Sequence, residues 1–151
     1  MSDFDVNLYI YQSYQIYMSE KPYLIHFTGI GDEEIGFISV AQVHNHIPFD
    51  IKRVYWVYQT PEYIERGNHA HKVCTQVLVA VSGEVEVVLE SVDGESDVYI
   101  LNNPAIGLFI PVLYWRKIHF SSNAVLVCLA SDTFDEYDYI RNYQAFLSLK
   151  Q

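Results

Sequence analysis

The chain is poor in cysteine, proline and cations. Only two cysteines occur in 151 residues, Cys74 and Cys128, each inside an apolar run and without metal-site spacing. That excludes a disulfide scaffold and a zinc ribbon, and reads as buried free thiols in a reducing compartment. Five prolines and seven glycines are scattered, so nothing resembles a linker, a repeat or a low-complexity tract. Nine Lys and Arg against nineteen Asp and Glu leave a formal net charge of −10. Nonspecific nucleic-acid binding needs clustered cations and is excluded. No apolar run approaches the roughly 18 residues of a spanning helix, and the first residues lack a basic region followed by an apolar stretch. The expectation is a cytoplasmic protein.

Half of the residues are apolar and thirteen are tyrosine. This length can bury a sizeable core as one domain, 1–151. Residues 4–18 are a Tyr-rich leader without a clean period. Residues 1–20 are therefore set apart as an N-terminal extension, with Tyr9, Tyr11, Tyr14 and Tyr17 placed against a partner subunit. Strand-like runs follow at about 23–27, 36–43, 51–59, 73–81, 84–90, 97–101, 107–110, 113–120 and 124–130. Turn residues separate them, Asp93-Gly94 being a strong hairpin signal. Only the end reads as helical. Asp132 or Asp135 would cap a helix with Tyr139, Ile140, Tyr143, Phe146 and Leu147 on one stripe. Many short strands and one terminal helix predict an all-β jelly roll.

The chemistry concentrates in Arg66-Gly67-Asn68-His69-Ala70-His71-Lys72, followed by Gln76 and Gly83. Two histidines two apart in an extended segment share a face. Cations gather near them: Lys52, Arg53, Arg66, Lys72, Arg116 and Lys117. A local cationic pocket on an acidic protein suits a small anionic ligand such as a phosphate ester. His44 and His46 lack a carboxylate at ligand spacing and read as loop residues; His26 reads as a partly buried strand residue. Asp135, Glu136 and Asp138 read as complementing a helix dipole.

The histidine segment resembles the first metal motif of cupin jelly rolls, but Gln76 stands where a glutamate would ligate, and Gly67 is too close to His69. In Pro111-Val112-Leu113-Tyr114-Trp115-Arg116, Arg116 stands where the second motif has its last histidine. Gln is a weak neutral ligand and Arg is a fixed cation. His119 lies three residues past Arg116, on the opposite strand face. The reading is a cupin pocket with no metal and no organic cofactor, in which imidazoles move protons near neutral pH.

From about residue 47 to 146 the chain resembles the nucleotide-sugar 3,4-ketoisomerases, metal-independent cupins. The matching segments are Ile47 to Tyr55, Arg66 to Lys72, Gln76 to Val79, Pro104 to Leu108, Leu129 to Asp132 and Asp138 to Tyr143. The resemblance implies a cis-enediol route from a dTDP-4-keto-6-deoxyhexose to its 3-keto isomer in bacterial surface-glycan biosynthesis. It implies His71 as the base at C3, with His69 and Tyr55 as proton shuttles. Arg53 and Arg66 would hold the diphosphate, and Asn68, Lys72, Gln76 and Arg116 complete the expected substrate-binding set. It further implies a homodimer that exchanges N-terminal strands. Three positions depart from the family pattern: Ile35 in place of an arginine, the polar Asn68, and Arg116 in place of a histidine. Alternatives are a nucleotide-sugar epimerase of the same fold, a non-catalytic nucleotide-sugar-binding module and a metal-dependent cupin oxygenase.

Overall fold

A computed structural model describes residues 20–150; the Tyr-rich leader lies outside the described residues. Twelve strands form in chain order: β1 (Tyr23–His26), β2 (Thr28–Asp32), β3 (Gly36–Val40), β4 (Arg53–Tyr58), β5 (Arg66–His71), β6 (Gln76–Ser82), β7 (Val85–Ser91), β8 (Ser96–Leu101), β9 (Ile106–Ile110), β10 (Tyr114–Phe120), β11 (Val125–Ala130) and β12 (Tyr139–Ile140). Among the described residues one α-helix follows, α1 (Tyr143–Leu147). One sheet has the order β1-β9-β6-β11-β4, a second β12-β5-β10-β7-β8, and β2-β3 form a separate hairpin. All their pairings are antiparallel. Among the described residues no helix is long and apolar enough to cross a membrane.

Period-2 patterning builds the core. In β7, Val85, Val87 and Leu89 are buried, and in β10 Ile118 and Phe120. They meet Leu78 and Ala80 of β6 and Leu126 and Cys128 of β11 between the two sheets. The expected hairpin forms at Asp93-Gly94. Gly94 takes φ 85°, where glycine carries no Cβ penalty, and its N–H donates to Ser91 O at 3.0 Å. A second apolar cluster, Ile47, Val77, Val79 and Phe109, lies under the 47–51 loop on the outer face of the first sheet.

Each of the nine expected strand regions holds a strand. The segment that carries the histidines is itself a strand, and β2 is an additional one. The helix expectation is corrected. Asp135 caps only a 3₁₀ turn at Glu136–Asp138, accepting from the Tyr137 N–H. Tyr139 and Ile140 are β12, paired with His71 and Ala70, and the α-helix begins at Tyr143, capped by Asn142. Tertiary hydrogen bonds to β5 override the local helical stripe, although Ile140, Phe146 and Leu147 still share one apolar cluster. His44 and His46 lie in a turn, as expected, whereas His26 is exposed rather than partly buried.

Candidate active site

Between the sheets, beyond the apolar core, lies a cavity of about 220 Å³. Its polar wall is Tyr55 of β4, Arg66 and His69 of β5, Gln76 of β6, Arg116 of β10, and Arg141. Leu78, Ile118, Phe120 and Leu126 close the far end. Alternation aims these groups inward: Tyr55 and Val57 face the core, while Val54, Trp56 and Tyr58 between and beside them are exposed.

Arg116 is the central cation. It is 2% exposed, and its guanidinium donates to Gln76 Oε1 and, at 3.4 Å, to the Tyr114 carbonyl. Gln76 Nε2 donates to Tyr55 Oη at 3.1 Å. The glutamine that replaces a metal-ligating glutamate is thus engaged on both ends of its amide. Burial presses the Arg116 pKa down, opposed by Tyr55 and the thiols of Cys128 and Cys74. The donor set does not suit a divalent ion, because a fixed positive charge stands against the His pair. His71, Cys74 and Asp138 bring ligand atoms within 4.8 Å, but His71 and Asp138 bind each other and the Cys74 thiol reaches the Thr75 carbonyl at 3.5 Å.

The two histidines have different surroundings. His69 Nδ1 donates to the Gly67 carbonyl at 2.9 Å, which leaves its Nε2 as a lone pair. Burial first, then the Arg116 charge, lowers its pKa to about 3. His71 has no accessible surface and stands behind His69, ring centroids 4.9 Å apart and edge-on. Its Nδ1 lies 2.6 Å from Asp138 Oδ2, and its Nε2 is buried without a protein partner. Burial lowers the His71 pKa to about 4 in spite of Asp138. Burial alone would raise the Asp138 carboxyl, but the His71 N–H and the amides of Val73 and Cys74 outweigh it and hold it at about 2. Both imidazoles are therefore neutral at pH 7. Tyr139 covers the pair, its ring 4.9 Å from His69 and 4.4 Å from His71. Burial raises the Tyr55 phenol strongly, so it stays protonated as a donor; the Cys128 thiol beside it is pushed up to about 12.

Of the expected set, Tyr55, Arg66, His69, Gln76 and Arg116 share the cavity wall. Four do not. His71 is shut behind His69. Arg53 packs on Tyr55 and Phe134 at 5.3 and 5.7 Å. Asn68 is the exposed extra residue of a bulge, at φ 54°. The Lys72 ammonium donates to the Tyr137 carbonyl at 2.6 Å, on the outside. Ile35 is exposed at the tip of the β2-β3 hairpin. Asp138 and Tyr139 were read from the sequence only as helix residues, and Arg141 was given no role in the site. Their signal was the Asp138 to Tyr143 block that carried part of the resemblance.

A jelly roll with neutral histidines, a protonated tyrosine and a buried arginine in the ligand position is a cupin equipped for acid–base chemistry. Residues 20–151 match the family described as FdtA: WxcM-like, C-terminal, and the chain belongs to it. The chain is 42% identical over 125 residues to a TDP-4-oxo-6-deoxy-alpha-D-glucose-3,4-oxoisomerase of Aneurinibacillus thermoaerophilus, spanning 82% of this chain and 88% of the relative. Its structure is similar to QdtA, a sugar 3,4-ketoisomerase from Thermoanaerobacterium thermosaccharolyticum solved with TDP. The TM-score is 0.82 and the identity 39%, over 87% of this chain and 96% of that one. WlaRB, a TDP-quinovose 3,4-ketoisomerase from Campylobacter jejuni, gives a TM-score of 0.79 at 37% identity over 85% and 98%.

Proposed function

We propose that this chain is a TDP-sugar 3,4-ketoisomerase that converts TDP-4-keto-6-deoxyglucose into its 3-keto isomer by proton transfer, without metal. The observation that carries the reading is His69, neutral, with its bare Nε2 on the cavity wall beside Arg116 and the Tyr55–Gln76 pair. The resemblance assigned the base to His71; this reading gives that role to His69, whose ring lines the cavity.

His69 Nε2 takes the C3 proton. The C3–H electrons form C3=C4, and the C4 oxygen takes a proton from Tyr55, giving the enediol. Loss of the O3 proton then forms C3=O, and C4 receives a proton from His69. The Arg116 charge stabilises the electron-rich intermediate in a low-dielectric site. Arg66, exposed at the mouth, suits the diphosphate through paired charge-assisted bonds. Homodimers fit the exposed apolar stripe of β4, and a cytoplasmic location fits a nucleotide-sugar substrate.

Incubation with TDP-4-keto-6-deoxyglucose in D₂O should place deuterium at C4 of a 3-keto product. Exchange at C5 without transposition would favour an epimerase, and tight binding without exchange a non-catalytic module. His69→Asn should cut kcat by about 10²–10⁴ while TDP still binds; turnover equal to wild type would refute the assigned base.

A further inference from the structure

Arg141 lines the cavity, yet its charge is satisfied outside it. Its Nε donates to Glu136 Oε1 at 2.5 Å and its Nη2 to Glu136 Oε2 at 3.0 Å, a two-pronged pair. The guanidinium also lies over the Tyr139 ring, 4.2 Å from the centroid. The backbone is fixed on both sides of it: Ile140 pairs with Ala70 of β5, and the Asn142 side chain caps α1 by accepting from the Ala145 amide. The Arg141 side chain can therefore turn without moving the strand. Glu136 stands on the 3₁₀ turn and does not line the cavity. The Arg141 and Glu136 side chains are 51% and 57% exposed, and an ion pair this open to water is weak. Among the described residues that line the cavity, three are arginines, Arg66, Arg116 and Arg141, and none is a carboxylate. Arg116 is held in the interior by Gln76. Arg66 and Arg141 are thus the two cations of the wall that solvent reaches, in a chain of net charge −10.

We propose that Arg141 is a second diphosphate-binding residue and that Glu136 is a built-in competitor, holding the Arg141 guanidinium until a nucleoside diphosphate displaces it. The proposal rests on the ketoisomerase reading above and gives its substrate an anchor beside Arg66. A carboxylate and a phosphoryl group offer a guanidinium the same fork of two oxygens, so one can replace the other without loss of geometry. A diphosphate carries more negative charge than a single carboxylate and meets two arginines at once, which favours the exchange. A purely structural pair would act in the opposite sense. It would staple the 136–141 segment against β5, and its loss would loosen the cavity wall and weaken any ligand bound there. Removal of Glu136 therefore separates the two roles by sign.

Isothermal titration calorimetry with TDP at fixed ionic strength reads that sign. Glu136→Gln should tighten TDP by about two- to fivefold, the scale on which exposed ion pairs act. Arg141→Gln should weaken TDP by about tenfold or more, the scale of a charge-assisted bond. The double variant should match Arg141→Gln within about twofold, because the competitor has nothing left to hold. That last comparison separates competition for Arg141 from a general effect of removing a negative charge. A Glu136→Gln protein that binds TDP more weakly than wild type, or equally, makes the pair a staple and overturns the competitor. So does a double variant that binds more tightly than Arg141→Gln by the full factor seen for Glu136→Gln alone. An Arg141→Gln protein with wild-type TDP affinity overturns the anchor. A wild-type protein that binds no TDP instead overturns the nucleotide-sugar reading beneath both.

Discussion

His69 and His71 are pressed below the usual imidazole pKa of about 6.5, and for both the first cause is burial. Arg116 adds to the effect on each, and for His71 the Asp138 bond works against it. The consequence is a shifted pH dependence. A base must be unprotonated to act, and these imidazoles lose that state only as the pH falls toward 4 and then 3. The kcat/KM profile should therefore be level from pH 6 to pH 8, with its acid limb displaced to about 4. Initial rates in buffers of constant ionic strength, with circular dichroism to verify the fold, would test this. An inflection near pH 6.5 would contradict it. At this scale much of the site was legible in the sequence. His69, Gln76 and Arg116 follow from motif spacing alone, and the missing glutamate and histidine ligands are what pointed the sequence reading toward proton transfer. Asp138 was not legible. Its partner is sixty-seven residues away, and beside Asp135 and Glu136 a helix-dipole role was the simplest local reading.

Strand β5 explains how one element can serve both a cavity and a sheet. Arg116 pairs with His69 and Lys117 with Gly67, so Asn68 is left over as a bulge. Gly67 and Asn68 take φ 91° and 54°, and the bulge turns Arg66 and His69 to the cavity while Asn68 points out. A Cβ on Gly67 would lie 2.6 Å from the Arg116 carbonyl, a backbone atom with little freedom to move. Gly67→Ala should destabilise the fold by about 2 kcal/mol or more and lower kcat, because the strand that must shift holds Arg116. Asn68→Gly should be nearly neutral, since both residues tolerate the left-handed region. Chemical denaturation of the two variants decides the point, and equal midpoints would remove the bulge from the account. The sequence revealed β5 only as an extended segment, because a bulge interrupts the period-2 pattern on which strand recognition depends. The terminal helix failed for the related reason that Tyr139 and Ile140 satisfy backbone bonds on β5 that no local window contains.

Among the described residues, one sheet face is apolar and open at the scale of the whole molecule. Among the described residues strand β4 is an edge of the first sheet, and Val54, Trp56 and Tyr58 on its outward face are 50%, 61% and 57% exposed. An unpaired apolar edge invites another strand, and monomers usually blunt it with charge or proline. This stretch has neither beyond Arg53, which points inward. The β2-β3 hairpin adds Ile30, Phe37 and Ile38, all more than half exposed. Association has to overcome repulsion between chains of net charge −10 each, so apolar burial must drive it, and added salt should strengthen it by screening. Sedimentation equilibrium should give twice the chain mass of 17.5 kDa, with a tighter dimer at higher ionic strength. Trp56→Lys puts a cation on the apolar stripe and should weaken the dimer by about tenfold or more, the scale at which buried aromatic anchors act in interfaces. The candidate cavity lies on the other side of β4, lined by Tyr55 and Val57, so this variant should keep its turnover at protein concentrations where it remains associated. A wild-type mass of one chain at micromolar concentration would leave the exposed stripe to some other cover and remove the dimer.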